Sequence, residues 1–123
     1  MCYKPLVTSP IEEGAVMYRV RSVIKLKADG WNGAIENVRR INEIAKQRGW
    51  QQATVWTQTF GRYNEIALEL EFPDLATYER ETAAFNADEE AMGLSREGLK
   101  YLRGDDVGFN EIWERAETVA GGE

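Results

Sequence analysis

Tyr18 and Ser22 stand four residues apart in a stretch where apolar and polar residues alternate. Thr57 and Thr59 stand two apart in a second such stretch. In extended backbone side chains alternate between faces, so each pair falls on one face. Hydroxyls there can orient a ligand through hydrogen bonds or lend it a proton, and Asn110 on a third stretch can join them. Tyrosine is the best-suited proton donor left to this chain, because the sequence contains no histidine. The competing reading is that each hydroxyl bonds a neighbouring carbonyl in an ordinary core. Trp31, Tyr78, Phe85 and Tyr101 sit on helical segments and can close over the hydroxyls. A cavity lined this way suits a small hydrophobic or aromatic ligand.

The missing histidine narrows the chemistry. It excludes histidine-ligated haem, zinc or iron, and any triad built on histidine. An all-carboxylate metal site stays open in principle, but no Asp-x-Asp-x-Asp spacing occurs. The glycines are scattered singly rather than gathered in a phosphate-cradling loop. The expectation is chemistry without a metal or nucleotide cofactor.

Composition sets the outer bounds. The 123 residues fit one domain. The formal charge is −6, with 15 Lys and Arg against 21 Asp and Glu. That balance argues against nucleic acid and against an anionic membrane, since both call for a basic surface. Cys2 is the only cysteine, so no internal disulfide can form. No apolar run is long enough to cross a bilayer, and the first residues lack the apolar core of a signal peptide. Cytoplasmic residence is the expectation.

Three segments with period-two or β-rich character must carry the polar groups. Residues 16–27 alternate cleanly. Val16, Tyr18, Val20, Ser22, Ile24 and Leu26 fall on one face, and Met17, Arg19, Arg21, Val23, Lys25 and Lys27 on the other. Residues 53–60 and 65–72 flank a Gly61–Asn64 turn and read as a hairpin. Residues 107–114 read as a last strand, with Phe109 and Trp113 in one phase and Asn110 and Ile112 in the other. Between the strands, Asp29 reads as the cap of a helix carrying Trp31, Ala34, Ile35, Val38, Ile41, Ile44 and Ala45, closed by Arg48-Gly49. Asp74 caps a second helix with Leu75, Tyr78 and Phe85. After a break at residues 86–88, Asp88 and Ser95 read as caps of further short helical pieces. Residues 1–14 read as an arm, 15–116 as the domain and 117–123 as a polar tail.

The order βαββαβ is the ferredoxin-like α+β arrangement, with an antiparallel sheet in strand order 4-1-3-2 and helices on one face. It resembles the dimeric α+β barrel superfamily. The most specific piece is Glu71-Phe72-Pro73-Asp74-Leu75-Ala76-Thr77-Tyr78-Glu79, followed by Phe85-Asn86-Ala87-Asp88-Glu89-Glu90. It is similar to the strand, helix and Asp-Pro-Glu-Trp-like break of NIPSNAP-type proteins and antibiotic-biosynthesis monooxygenases. Glu89 stands where proline is usual, and Glu90 where the aromatic is usual. The resemblance covers residues 16–114 in architecture and only the quoted piece in residues. It implies a homodimer whose sheets face each other, with a pocket between each sheet and its own helices. No Asn-Trp-Tyr catalytic set of the monooxygenases can be matched here, so no catalytic residue is carried over.

Strand order 4-1-3-2 makes the first and third strands neighbours. Arg19, Arg21 and Lys25 then share a face with Glu65, Glu69 and Glu71, as a solvated ion-pair ladder or as a dimer interface. An even hairpin loop pairs Phe60 with Glu65 and Trp56 with Glu69, which puts Trp56 on this face as an interface anchor. An odd loop puts it in the core. The even loop is preferred, because it sets Val55 and Thr57 beside Leu70 and Leu68. The expected interface set is Arg19, Arg21, Trp56, Phe60 and Glu69.

Two functions fit. One is a cofactor-independent tailoring enzyme, a cyclase or monooxygenase acting on an aromatic or polyketide-like molecule. The other is a non-catalytic dimeric module that binds a ligand or serves assembly. A cavity of ~300 Å³ or more between sheet and helices would favour a ligand.

Overall fold

A computed structural model of the chain describes residues 16–58, 60–61, 64–104 and 108–116. The expected arm at 1–14, Thr59 and the tail at 117–123 lie outside these. The alternating segments become β1 (Tyr18–Lys25), β2 (Thr54–Thr57), β3 (Glu65–Phe72) and β4 (Gly108–Glu114). The helical ones become α1 (Trp31–Arg48), α2 (Leu75–Ala87) and α3 (Glu89–Gly98), followed by a short 3-10 turn at Leu99–Tyr101. All strand pairs are antiparallel, in order β2-β3-β1-β4. Read from its other edge this is 4-1-3-2, the expected ferredoxin-like α+β fold.

The register of the hairpin differs from the expected one by two residues. Trp56 lies opposite Ala67 rather than Glu69, Val55 opposite Leu68 and Thr57 opposite Ile66. The connection is wider than a tight turn, with Asn64 in the left-handed region at φ 58°. Because side chains alternate with period two, a two-residue displacement keeps every residue on its face. Trp56 therefore sits on the charged face, as the even loop required.

Helix ends follow local chemistry with two exceptions. Asp74 caps α2 by accepting from the Thr77 N–H at 2.7 Å, and Asp88 caps α3 by accepting from the Ala91 N–H at 2.9 Å. Gly49 closes α1 at φ 79°, where a side chain would be strained. Asp29 is not the cap of α1. Gly30 takes that position, with no side-chain capping bond. Ser95 is not a cap either. The Asp88 cap starts a helix that runs unbroken through it.

The core lies between the sheet and the three helices in two clusters. Leu26, Ala34 and Ile66 form one, with Tyr101 and Leu102 against it. Ile44, Ala91 and Leu94 form the other, with Trp50 and Phe85 against it. Asn37 crosses from α1 to α3, donating from Nδ2 to the Leu94 carbonyl at 2.9 Å. No residue of α2 is buried, so this helix is the least anchored part of the helical layer. Arg48 in the last turn of α1 ties that layer together, reaching Asp88 at 2.8 Å and Glu90 at 3.2 Å. Glu89 and Glu90 lie in the first turn of α3, where the helix dipole favours acidic side chains.

Both capping aspartates have pKa values held below the ordinary range. The Arg48 hydrogen bond is the main cause at Asp88, and the Thr77 side-chain hydrogen bond at Asp74. A lowered folded-state pKa adds stability that is present above the unfolded value and lost as pH falls through the folded one. The Asp74→Ala/Asp88→Ala double variant should therefore unfold at lower urea than the parent at neutral pH. The gap should close as pH is taken below about 4. Urea titrations across pH 7 to 3 check this.

Candidate functional site

The space between sheet and helices is not filled. A cavity of about 320 Å³ lies there, just above the ~300 Å³ lower bound for a ligand site. Its floor is Val20 and Ser22 from β1 with Leu68, Leu70 and Phe72 from β3. Its roof is the α1 stripe Val38, Ile41, Asn42 and Ala45, whose three- and four-residue steps put all four on one side of the helix. Trp50, Gln51 and Ala53 of the α1–β2 connection close one wall, Glu81, Thr82 and Phe85 of α2 another, and Ser95 of α3 completes the lining. Thr82 is exposed, so the cavity reaches the surface beside α2.

The connection wall is held from two directions. Asn42 donates to the Ala53 carbonyl at 2.9 Å and accepts from the Ala53 N–H at 2.8 Å. From α2, Glu81 Oε1 accepts from the Gln51 N–H at 2.9 Å. Gln51 is itself buried, and Trp50 packs tilted against Phe85 with ring centroids 6.0 Å apart. The result is an apolar, partly aromatic chamber with a few fixed polar groups, the usual make-up of a small-molecule site. Among the described residues no cluster of carboxylate and thiol side chains gathers as a metal site would require.

Of the nine candidates read from the sequence, the structure brings Ser22 and Phe85 to this cavity. Tyr78 stands behind it, edge-on to Phe72 at 5.4 Å between ring centroids. Tyr101 lies at the far end of the core, pressed over Gly33 so closely that a Cβ there would come within 2.1 Å of the ring. Trp31 is exposed as the first residue of α1. Tyr18 sits at the start of β1 opposite Phe72 and lines a separate depression. Thr57 and Asn110 are exposed on β2 and β4, the two edge strands, which the helices do not cover. Thr59 lies outside the described residues.

Asn42, Gln51 and Glu81 were not read as site residues. Glu81 carried a signal: it lies three residues after Tyr78 and four before Phe85, a carboxylate set into an aromatic stripe. Asn42 carried a similar one, four residues after Val38. Gln51 carried none, since a connection has no periodicity to show which way it faces.

The other face of the sheet carries the charge ladder. Arg21 lies opposite Glu69 and Arg19 opposite Glu71. Arg21 grips Glu69 Oε2 through Nε at 2.8 Å and through Nη2, while Arg19 meets Glu71 at 2.7 Å. Glu69 is only 5% exposed, while Arg19, Arg21 and Glu71 are each about half exposed. One row on, Trp56, Ala67, Val23 and Phe109 form an apolar line across all four strands. Trp113 flanks Arg19. Trp56 is 54% exposed, Trp113 58% and Phe60, in the hairpin connection, 91%. Phe109 and Trp113 take this face because β4 pairs with β1 so that Asn110 lies opposite Ser22 and Phe109 opposite Val23. A wider depression of about 460 Å³ lies on this side, lined in part by Arg19, Arg21, Glu69 and Trp113. It lies over the charge ladder, whereas the smaller cavity lies between the sheet and the helices and opens beside α2.

Comparison with solved structures bears on the fold. A NIPSNAP domain protein from Burkholderia xenovorans superposes with a TM-score of 0.68 at 15% identity, over 81% of this chain and 95% of the other. A NIPSNAP family protein with unknown function from Agrobacterium tumefaciens gives 0.65 at 18% identity, over 85% and 92%. A structure described as an antibiotic biosynthesis monooxygenase gives 0.63 at 16%, over 81% and 99%. This chain has the ferredoxin-like fold that NIPSNAP and antibiotic-biosynthesis-monooxygenase structures share. The resemblance read from residues 71–90 thus holds at the level of the fold. No family model matches the chain, and no curated protein does. Among the described residues no helix is long and apolar enough to cross a membrane.

The Arg21–Glu69 pair yields a direct test. Arg21→Leu removes both hydrogen bonds to Glu69 Oε2 and leaves the nearly buried carboxylate with Arg19 Nε at 3.7 Å. Because Arg21 itself is part-exposed, the expected loss is about 1–3 kcal/mol rather than the full cost of an orphaned buried charge. Urea unfolding with an unchanged slope checks it.

Proposed function

We propose that this chain is a small-molecule tailoring enzyme that uses neither metal nor nucleotide cofactor and acts on an aromatic or polyketide-like molecule held between sheet and helices. The observation that carries the proposal is the 320 Å³ cavity with apolar and aromatic walls and a fixed carboxylate, Glu81. The fold shared with an antibiotic biosynthesis monooxygenase supports the same reading. A carboxylate on an apolar wall can take a proton from a carbon flanked by carbonyls. The carbanion then adds to a second carbonyl, forming the ring's C–C bond, and the alkoxide takes the proton back from Glu81. With dioxygen as cosubstrate the carbanion instead forms a peroxide that takes that proton and loses water to leave a ketone. A second reading, ligand binding without turnover, draws on the bond that Glu81 makes to the Gln51 N–H, which gives the carboxylate a structural role.

Anthrones and aromatic polyketides should raise the melting temperature of the protein, and at least one should be turned over without added metal or nucleotide. Leu68→Trp, which fills the cavity from the sheet, should abolish both while the variant stays folded by circular dichroism. Binding without turnover across the panel would leave only the second reading. Binding untouched by Leu68→Trp would remove both.

The working unit in this proposal is a homodimer joined through the open sheet face. Four large aromatic side chains on that face and in the adjoining connection, Trp56, Phe60, Phe109 and Trp113, are more than half exposed, and such patches mark partner surfaces. The face carries arginines and glutamates together, so a two-fold copy meets it without net repulsion. Trp56→Glu should turn a dimer at micromolar concentration into a monomer by light scattering. A parent that is monomeric under those conditions would refute the dimer.

A further inference from the structure

Sixteen of the described residues line the cavity between sheet and helices, and Glu81 is the one acidic residue among them. None of the sixteen is a lysine or arginine. Ser22, Asn42, Gln51, Thr82 and Ser95 supply neutral polar groups. Asn42 is committed on both amide atoms to the Ala53 main chain. The Glu81 carboxylate is held in place by the Gln51 N–H, on a connection that Asn42 anchors, so it cannot simply swing away from an incoming ligand.

From this placement we propose that Glu81 is the specificity-determining residue of the cavity. It selects an aromatic ligand that is uncharged or cationic and presents a hydrogen-bond donor, a hydroxyl or an amine, and it rejects carboxylates and phosphates. This inference rests on the cavity being the ligand site and says which ligands enter it. A carboxylate accepts hydrogen bonds and offers none. A hydroxyl or ammonium facing it forms a charge-assisted bond, the stronger kind. An anion facing it meets like charge in an environment where the apolar walls Leu68, Leu70 and Phe85 replace solvent, and no cation on the lining offsets it. The overall charge of −6 acts in the same direction.

Three probes with one aromatic body test the idea: naphthol, naphthylmethylammonium and naphthoate, titrated calorimetrically at neutral pH into the full-length protein. The expected result is binding of the first two, with naphthoate at least ~10-fold weaker than naphthol. Glu81→Gln keeps an oxygen for the Gln51 N–H but removes the charge. It should bring naphthoate to within about threefold of naphthol and weaken the ammonium probe. Glu81→Asp keeps the charge and should keep the order of the probes, which serves as the reading if the glutamine variant does not fold. Equal binding of all three probes to the parent, or an unchanged order in Glu81→Gln, overturns the inference while leaving the cavity as a ligand site. Failure of all three to bind the parent overturns the cavity reading and this inference with it.

Discussion

Arg21 and Glu69 face each other in the middle of the two central strands, and the rest of the structure depends on that register. A displacement of β3 against β1 by one residue would turn Leu68, Leu70 and Phe72 outward and bring three glutamates under the helices. The apolar alternation forbids that. A displacement by two would keep the faces but, within β1 and β3, cut the three opposite-charge pairs Arg19–Glu71, Arg21–Glu69 and Lys25–Glu65 to one, Arg19–Glu69 in one direction or Arg21–Glu71 in the other. The ion-pair ladder thus disfavours the alternatives that hydrophobic patterning leaves open. Its net contribution to stability is modest, and its weight lies in specificity.

From this fixed pair the two sides of the sheet take different roles. Toward the helices, long aliphatic side chains on β3 and smaller ones on β1, Val20 and Ser22, leave a hollow that α1 alone cannot fill. The α2 helix could have filled it, but none of its residues is buried and its inward stripe offers a carboxylate where an aliphatic residue would complete a core. The hollow is therefore built by substitution of polar for apolar groups at inward positions: Ser22 on the strand, Asn42 on α1, Glu81 on α2. Each has a bulk or polarity that a packed core would select against.

Toward the open side, the apolar row from Trp56 to Phe109 lies between rows of opposite charges. The aromatic side chains come from the edge strands and the charge ladder from the central pair. The edge strands also leave Val55 and Ile112 uncovered by the helices, so the protein's unfinished surfaces concentrate at β2 and β4.

By itself the sequence determined the element order, the sheet faces of β1 and β3, the face that Arg19, Arg21 and Lys25 share with Glu65, Glu69 and Glu71, the Asp74 and Asp88 caps, and the absence of histidine chemistry. These are local properties, carried by period-two alternation, by capping side chains and by composition. Tertiary structure alone decided which side chains line the cavity. Tyr101 and Phe85 both read as helical aromatics, yet one seals the far end of the core over Gly33 and the other walls the cavity. What separates them is the breadth of the sheet and the angle at which the broken second helical region returns across it. The same holds for Gln51 on an aperiodic connection, and for β4, whose phase gained meaning only when it paired with β1. A residue's face can be read from its neighbours in the chain, but its distance from a residue thirty positions away is set by how whole elements pack.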